Sequence, residues 1–287
     1  IEDPVTPSAP TRLERSFKPV SGSFGALYQL PLGVVARATL QYTERAPDVA
    51  ELFSKGVHEA TGTFEIGNPN LQIEKARTVE FGFKRAKGAF RFDTSFYHTT
   101  YDGFIFKNYT GVLCDDDLAS CGVGTELSQV VYGQRDAVFY GADISGQLDV
   151  APIWRGVWGI EGQYDFVHAE FSDAVNVPRI PPHRVGGGIY YRDPAWFARM
   201  AMLHAFRQDE VSAIDPKDTP TSGYTLLNAE LSYTWSQGID GAFQPKWTVG
   251  IKGENLLDDD VRNHVSVRKD EVLQPGRTVR IFGSVKY

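Results

Sequence analysis

The sequence lacks several features that would assign it to a common class of protein. It contains no run of 18 apolar residues, so it has no helix of the length needed to cross a membrane. Residues 1–11 are polar and rich in proline and lack the apolar core of a signal peptide, as expected of a mature protein or of a piece of a longer chain. The net charge is −7 and no basic patch stands out, which argues against nucleic acid as a partner.

Motifs of catalysis are also missing. His58 and Glu59 begin a string that imitates half of a zinc-protease motif, but glycine occupies position 62, where the second histidine is required. Gly186, Gly187 and Gly188 lie within a strand pattern without a following helix, so they form no phosphate-binding loop. No nucleophile elbow and no outstanding acidic pair occur, which disfavours a soluble carbohydrate-active enzyme. We therefore predict that the protein is not an enzyme and requires no cofactor.

Alternation of apolar and polar residues is the strongest pattern present. In Val34–Thr43 and in Thr78–Lys84, every second residue is apolar, which is typical of a strand with one apolar face. The same period recurs along the chain and predicts eleven strands and no helix. Apolar Phe81, Phe92, Leu231, Val249 and Ile281 are predicted to face lipid. Their neighbours Glu80, Asp93, Glu230, Lys252 and Arg280 are predicted to face a lumen.

The connections between the predicted strands alternate in length. Short turns fall near 31–33, 86–88, 151–155 and 192–194, whereas longer segments cover 44–74, 108–135, 168–182, 208–223 and 256–276. Short turns on one side and long loops on the other are typical of an outer-membrane barrel. The pattern therefore predicts an all-β protein, a transmembrane antiparallel β-barrel.

The number of strands is odd, and this has a consequence for the barrel. Eleven strands closed on themselves would pair two parallel edges, whereas single-chain bacterial barrels are antiparallel with an even number of strands. An open edge cannot face lipid, because its backbone groups would have no partner there. The chain is therefore expected to be one half of a larger barrel.

The segment 44–74 is unusually long for a connection and is expected to carry function. It contains Pro47, Gly56, Gly62, Gly67 and Pro69, which mark turns. It also contains His58, with glutamates at positions 51, 59 and 65 near it in sequence, a polar set that can bind a cation.

These features resemble the C-terminal half of a TonB-dependent outer-membrane receptor, in particular the group of zinc and haem receptors. Haem receptors of that group carry a Phe-Arg-Ala-Pro box and an Asn-Pro-Asn-Leu box on either side of a functional histidine. Here the first box is Glu44–Pro47, with its Phe replaced, and the second is intact as Asn68–Leu71; His58 is the only histidine between them. Phe64–Gly67 is more similar to the zinc-receptor branch, and the aromatic final residue, Tyr287, also fits the family.

The resemblance implies a barrel of 22 strands in the bacterial outer membrane, of which residues 1–287 would form the C-terminal half. It also implies a plug inside the barrel and a short box that contacts the TonB complex, neither of which is found in this sequence. The expected partners are outer-membrane lipid, the N-terminal half of the barrel and, through the plug, the TonB complex. The expected function is uptake of a scarce metal species; the alternative is a passive porin or a surface-binding barrel.

The predicted ligand-binding residues lie in three of the long loops. With the boxes, His58 is expected to bind zinc or haem iron, helped by Glu59 and Glu65; without them it would be an exposed and idle histidine. Asp115, Asp116 and Asp117 are expected to attract cations. His264 is a second candidate ligand. Cys114 and Cys121 bracket the aspartates, and in an oxidising compartment two loop cysteines are expected to form a disulfide. The alternative is metal binding by the two thiolates, which prefers reducing surroundings and other spacings.

Overall fold

The structure, a computed structural model, describes residues 14–115, 121–122, 126–236 and 245–286. One sheet dominates this part of the chain, and eleven of its strands follow one another in chain order, each antiparallel to the next. The strands are β1 (Ser21–Gln29), β2 (Val35–Arg45), β3 (Lys55–His58), β4 (Thr63–Ile66), β5 (Glu74–Arg85), β6 (Phe90–Cys114), β7 (Leu127–Ile153), β8 (Gly156–Phe171), β9 (Arg184–Arg192), β10 (Trp196–Ala205), β11 (Tyr224–Ser236), β12 (Lys246–Glu254) and β13 (Thr278–Lys286). The predicted all-β antiparallel sheet, with its eleven-strand path, is confirmed.

The prediction of no helix was wrong within the segment 44–74. A short helix, α1 (Val49–Phe53), begins there, and Asp48 caps it by accepting from the backbone of Ala50 while Glu51 closes the capping box. After it, β3 and β4 pair as a small hairpin. A five-residue helix and two four-residue strands are too short to show a period in the sequence. Among the described residues, no helix has the length and apolar character needed to span a membrane.

The pairing register places the two predicted sets of residues on opposite faces. Phe81 pairs with Phe96, and Leu231 pairs with Ile251, which in turn pairs with Ile281, so these side chains share the outer face. The inner face carries ion pairs instead. Its cross-strand pairs include Arg37 with Asp93, Lys84 with Asp93, Arg91 with Asp149, Arg199 with Glu161, and Arg184 with Asp165. An apolar outer face and a polar inner face are the arrangement of a transmembrane barrel wall.

Aromatic residues mark the two borders of the outer face. Four of the five tryptophans lie on this face near the short turns, and the fifth, Trp154, lies in one of those turns and is 90% exposed. At the loop end, the rings of Tyr140 and His168 lie 5.1 Å apart. Trp158 and His168 are ten residues apart on β8, which at a tilt of 45° corresponds to about 23 Å. That height agrees with an apolar band of about 25 Å.

Three glycines on the inner face each accommodate an aromatic ring from the neighbouring strand. A Cβ atom at Gly141 would lie 2.7 Å from the hydroxyl oxygen of Tyr97, one at Gly159 would lie 2.4 Å from Tyr190, and one at Gly250 would lie 2.5 Å from Phe282. The protein's own packing therefore requires glycine at these places.

The sheet leaves two edges free. Within the described residues, β1 pairs only with β2, and β13 pairs only with β12. In lipid, the backbone N–H and C=O groups along such an edge would have no hydrogen-bond partner.

Strands β6 and β7 extend well above their neighbours. The sequence predicted a long loop over 108–135, but β6 continues to Cys114 and β7 begins at Leu127, with irregular register after Tyr101 and after Tyr109. This part of the prediction was wrong because the extension is stabilised by contacts with other loops. Phe106 of β6, Ala137 of β7 and Phe171 of β8 form a buried cluster there with Val177, which lies in the next loop.

Candidate functional site

The two sequence boxes fix the ends of the segment 44–74. Arg45 donates from Nε to Glu74 (3.0 Å) and from Nη1 to Glu51 (2.9 Å), so one guanidinium joins the start of β5 to α1. The other oxygen of Glu74 accepts from the backbone N–H of Ile105 (2.7 Å). Arg45, Glu51 and Glu74 are thus paired with one another, and this pairing positions the loop.

The second box is held by side-chain contacts with β7. The side-chain amide of Asn68 donates to the carbonyl oxygen of Tyr132 (3.1 Å), and its own oxygen accepts from the backbone of Asn70 (3.0 Å). Leu71 is 2% exposed and packs with Leu52 and Ile105. These contacts hold the chain against the barrel wall on both sides of the hairpin.

The hairpin is docked through its second strand. β4 pairs parallel with β7. Glu65, a residue of β4, is buried in this contact. Glu65 accepts from the hydroxyl of Tyr132 (2.8 Å) and from the ammonium of Lys107. Burial would raise the pKa of the Glu65 carboxyl, but the hydrogen bonds from Lys107 and Tyr132 outweigh it, and the pKa lies below its ordinary value. Glu65 is therefore a charged anchor of the hairpin.

His58 lies at the end of β3, beside the turn of the hairpin, and half of its side chain is exposed. Its Nδ1 lies 2.8 Å from the Thr61 hydroxyl and 3.9 Å from a Glu65 oxygen. Within the described part of the chain, its Nε2 makes no hydrogen bond. Glu59 follows it in the turn and is exposed. The arrangement holds the ring from one side, as supporting groups around metal-binding histidines do.

A neighbouring loop also contacts the hairpin. Lys217, between β10 and β11, donates to the backbone oxygen of Thr61 (2.7 Å). Two residues earlier, Asp215 accepts from Nε (3.0 Å) and Nη2 (2.8 Å) of Arg179, which lies in the loop between β8 and β9. The hairpin that carries His58 is thus joined to two further loops.

His264 lies in the last long loop, but its side chain is buried and does not face the solvent. Its Nδ1 is 3.0 Å from the Thr221 hydroxyl, its Nε2 is 3.1 Å from an oxygen of Asp218, and its side chain is 1% exposed. Burial would raise the pKa of the Asp218 carboxyl, but contacts with His264 and with the backbone of Ser212 lower it below its ordinary value. In this conformation His264 joins two loops.

The predicted disulfide between Cys114 and Cys121 is formed. It closes the end of the long β6 extension, next to Asp115. Asp116 and Asp117 lie outside the described residues. No group of three or more His, Cys, Asp or Glu side chains within the described ranges is arranged to hold a metal ion. The metal-binding roles of His58, Glu59, Glu65, Asp115 and His264 therefore stay predictions.

Sequence reasoning missed the partners of the hairpin. Lys107, Tyr132, Arg179 and Lys217 are distant from His58 in sequence and match no motif of ligand binding. A signal for Lys107 and Tyr132 exists, because the strand period of β6 and β7 continues towards and into residues 108–135. Arg179 and Lys217 lie in irregular loops and had no such signal.

Comparison with known proteins agrees with this architecture. Residues 2–256 match the family described as TonB dependent receptor-like, beta-barrel. The structure is similar to the copper transporter OprC, with 19% identity and a TM-score of 0.67 over 92% of this chain and 39% of that one. It is also similar to the siderophore receptor PirA from Acinetobacter baumannii (15% identity, TM-score 0.58, 93% and 40% covered) and to the ferric enterobactin receptor PfeA from Pseudomonas aeruginosa (13%, 0.58, 92% and 40%).

The solved structures show the fold at these low identities, and the chain spans about two fifths of their length. The relatives include copper and siderophore proteins, so the predicted zinc or haem group is not confirmed. The family consists of receptors of the bacterial outer membrane, which are not enzymes and need no cofactor. Since its sequence matches over most of its length and its sheet has the two faces of a barrel wall, this chain belongs to the TonB-dependent receptor β-barrel family.

Proposed function

We propose that the protein imports a scarce metal species across the outer membrane and that this chain forms the C-terminal half of its barrel. The observation that carries the proposal is the position of His58, half exposed on a docked hairpin at the loop end of a lipid-facing wall. The similarity to a copper transporter and to siderophore receptors supports a metal-containing substrate.

The free edges of β1 and β13 are evidence that the barrel has a second half. Further antiparallel strands between these two edges would satisfy both and give a closed wall. The N-terminal half would supply those strands. A plug within the barrel would carry the contact to the TonB complex, which would supply the energy for import.

His58 would supply the ligand nitrogen through Nε2. The Thr61 hydroxyl would hold Nδ1 on the other side of the ring. Glu65 would act only as a nearby negative charge, 3.9 Å from Nδ1, because Lys107 and Tyr132 already engage its two carboxylate oxygens. Glu59 is exposed beside the ring and would complete a zinc or copper site, with Asp115, Asp116 and Asp117 attracting the cation. His264 would bind the metal only if the loops that enclose it moved apart, because Asp218 and Thr221 now contact both ring nitrogens. A haem would need His58 alone as an axial donor.

Replacement of His58 by Ala in the full-length protein is expected to weaken binding of the metal species at least tenfold, because the imidazole that the hairpin presents is lost. Titration with zinc, with copper and with haem, each followed calorimetrically, would measure the loss and identify the species. The control is His98→Ala, which removes a histidine from the lipid-facing side of β6. Equal affinity of wild type and His58→Ala for all three species would refute the assignment.

The carboxylates separate the candidate species. If the species is zinc or copper, Glu59→Gln should weaken binding as well, since an exposed ligand oxygen is lost. If it is haem, Glu59→Gln should leave the affinity unchanged. The alternative function, a passive porin, is disfavoured because the chain belongs to a family of receptors.

A further inference from the structure

Three glycines on neighbouring strands form a row on the outer face of the sheet. Gly146 of β7 pairs directly with Gly162 of β8, which pairs directly with Gly187 of β9. The row ends at Phe92 of β6 on one side and at Met202 of β10 on the other. All five positions share the face of Phe81 and Leu231.

The row is bordered by two lines of larger residues, one on each side along the strands. Towards the loops, the border consists of Ile144, Tyr164 and Val185, which pair across the same three strands. Towards the short turns, it consists of Leu148, Ile160 and Ile189. The missing row of side chains therefore leaves a groove with apolar walls across three strands.

The protein's own packing does not require these glycines. A Cβ atom would lie no closer than 3.6 Å to any atom at Gly146, 3.8 Å at Gly162 and 3.5 Å at Gly187. This differs from Gly141, Gly159 and Gly250 on the inner face, where a Cβ atom would collide with a ring. Glycine weakens a strand and, in the absence of an internal reason, marks a place where something from outside approaches the backbone.

The size of the groove distinguishes between candidate occupants. Its walls are four residues apart and it crosses three strands, which gives an area of about 130–200 Å². A stable protein interface needs about 500 Å² or more on each partner. The groove is too small for a second barrel and has the width of one missing side-chain row, which suits a single hydrocarbon chain.

The height of the groove indicates the leaflet. Gly162 lies four residues above Trp158 on β8, or about 9 Å above the aromatic border at a strand tilt of 45°. Within an apolar band of about 25 Å, this is the half nearer the short turns. In bacterial outer-membrane barrels the short turns face the periplasm. The acyl chain in the groove would therefore come from a lipid of the periplasmic leaflet.

We infer that the row formed by Gly146, Gly162 and Gly187 is a binding groove for one acyl chain of a periplasmic-leaflet phospholipid. The acyl chain lies against the backbone of the three glycines, between the two bordering lines of apolar side chains. It occupies volume that the protein leaves unfilled, and so restores the contacts that side chains make elsewhere on the wall. The groove is independent of the metal species that the loops bind.

Photolabelling tests this inference with the full-length protein in vesicles of phosphatidylethanolamine and phosphatidylglycerol. A small fraction of the phospholipid carries a diazirine in the middle of one acyl chain, and adducts are located by mass spectrometry after irradiation. In wild type, we expect adducts to be enriched at Ile160, Tyr164 and Ile189 relative to Leu231 and Ile251, which face the same lipid. An even distribution over both regions would overturn the inference.

A second test of the inference fills the groove with a larger side chain. Gly162→Leu should remove the enrichment, whereas Ala38→Leu, an enlargement at another small residue of the outer face, should leave it intact. Heat-dependent mobility in gels verifies that each variant has folded. Persistent enrichment in folded Gly162→Leu, or cross-links between two barrels at the row, would contradict the proposed occupant. If Gly162→Leu does not fold, Gly187→Leu takes its place.

Discussion

Replacement of Leu231 by Arg is expected to lower the free energy of unfolding of the barrel by about 2–4 kcal/mol, the cost of this change near the bilayer midplane, because Leu231 lies four residues from the border residue Trp235 on β11. Leu231 lies on the outer face, opposite Ala198 on β10 and Ile251 on β12, and 45% of it is exposed. In the membrane that exposed area contacts hydrocarbon, where a guanidinium has no water and no counter-ion. Reversible unfolding of the full-length protein in lipid vesicles by urea measures the change.

Replacement of the adjacent Glu230 by Arg is the matched control. Glu230 faces the lumen and lies opposite Arg199 and Lys252, so the new charge meets cations but remains solvated. Its cost is expected to be about 0.2–1 kcal/mol. If the two variants lost the same stability, the assignment of the outer face would be wrong.

Replacement of Arg179 by Met is expected to destabilise the docked loops by about 3–5 kcal/mol. The side chains of Arg179 and Asp215 are only 14% and 5% exposed, and two hydrogen bonds join them. Methionine fills the volume but leaves the carboxylate of Asp215 buried without its cation. Because Lys217 carries the contact with Thr61, the hairpin at His58 should also loosen.

Hydrogen exchange of the full-length protein measures this effect locally. Faster exchange is expected over residues 206–223 and over β3 and β4, with unchanged exchange in β10 and β11. The control is Arg207→Met, since Arg207 and Asp209 form an exposed ion pair worth less than about 1 kcal/mol. Exchange in the hairpin that is the same in Arg179→Met and in wild type would show that the loops move independently.

The wall of the barrel could be predicted from the sequence because one physical rule sets it. A strand between lipid and water must alternate, and the alternation at Val79, Phe81 and Phe83 gives both the strand and its outer face. The count of eleven strands in the path follows from the same rule, and the need for further strands follows from that odd number and from the two unpaired edges.

The loops could not be predicted in this way, since their structure depends on contacts between distant residues. The buried Glu65 is stabilised by Lys107 and Tyr132, and the residues near Glu65 in sequence do not predict either contact. His264 looked like an exposed ligand because it lies in a long loop, yet Asp218 and Thr221 enclose it. His58 was singled out by the length of its loop and by the two boxes on either side of it, and its role as a ligand stays a prediction.

Uptake into intact cells tests the central claim, that this chain belongs to an energised importer of a metal species. The measurement compares accumulation of the labelled species that binds the purified protein in cells with and without the TonB complex, all expressing the full-length protein. An energised importer should show saturable uptake that is lost without the complex and is greatly reduced by His58→Ala. Uptake that rises in proportion to concentration and continues without the complex would contradict this claim and identify a passive pore.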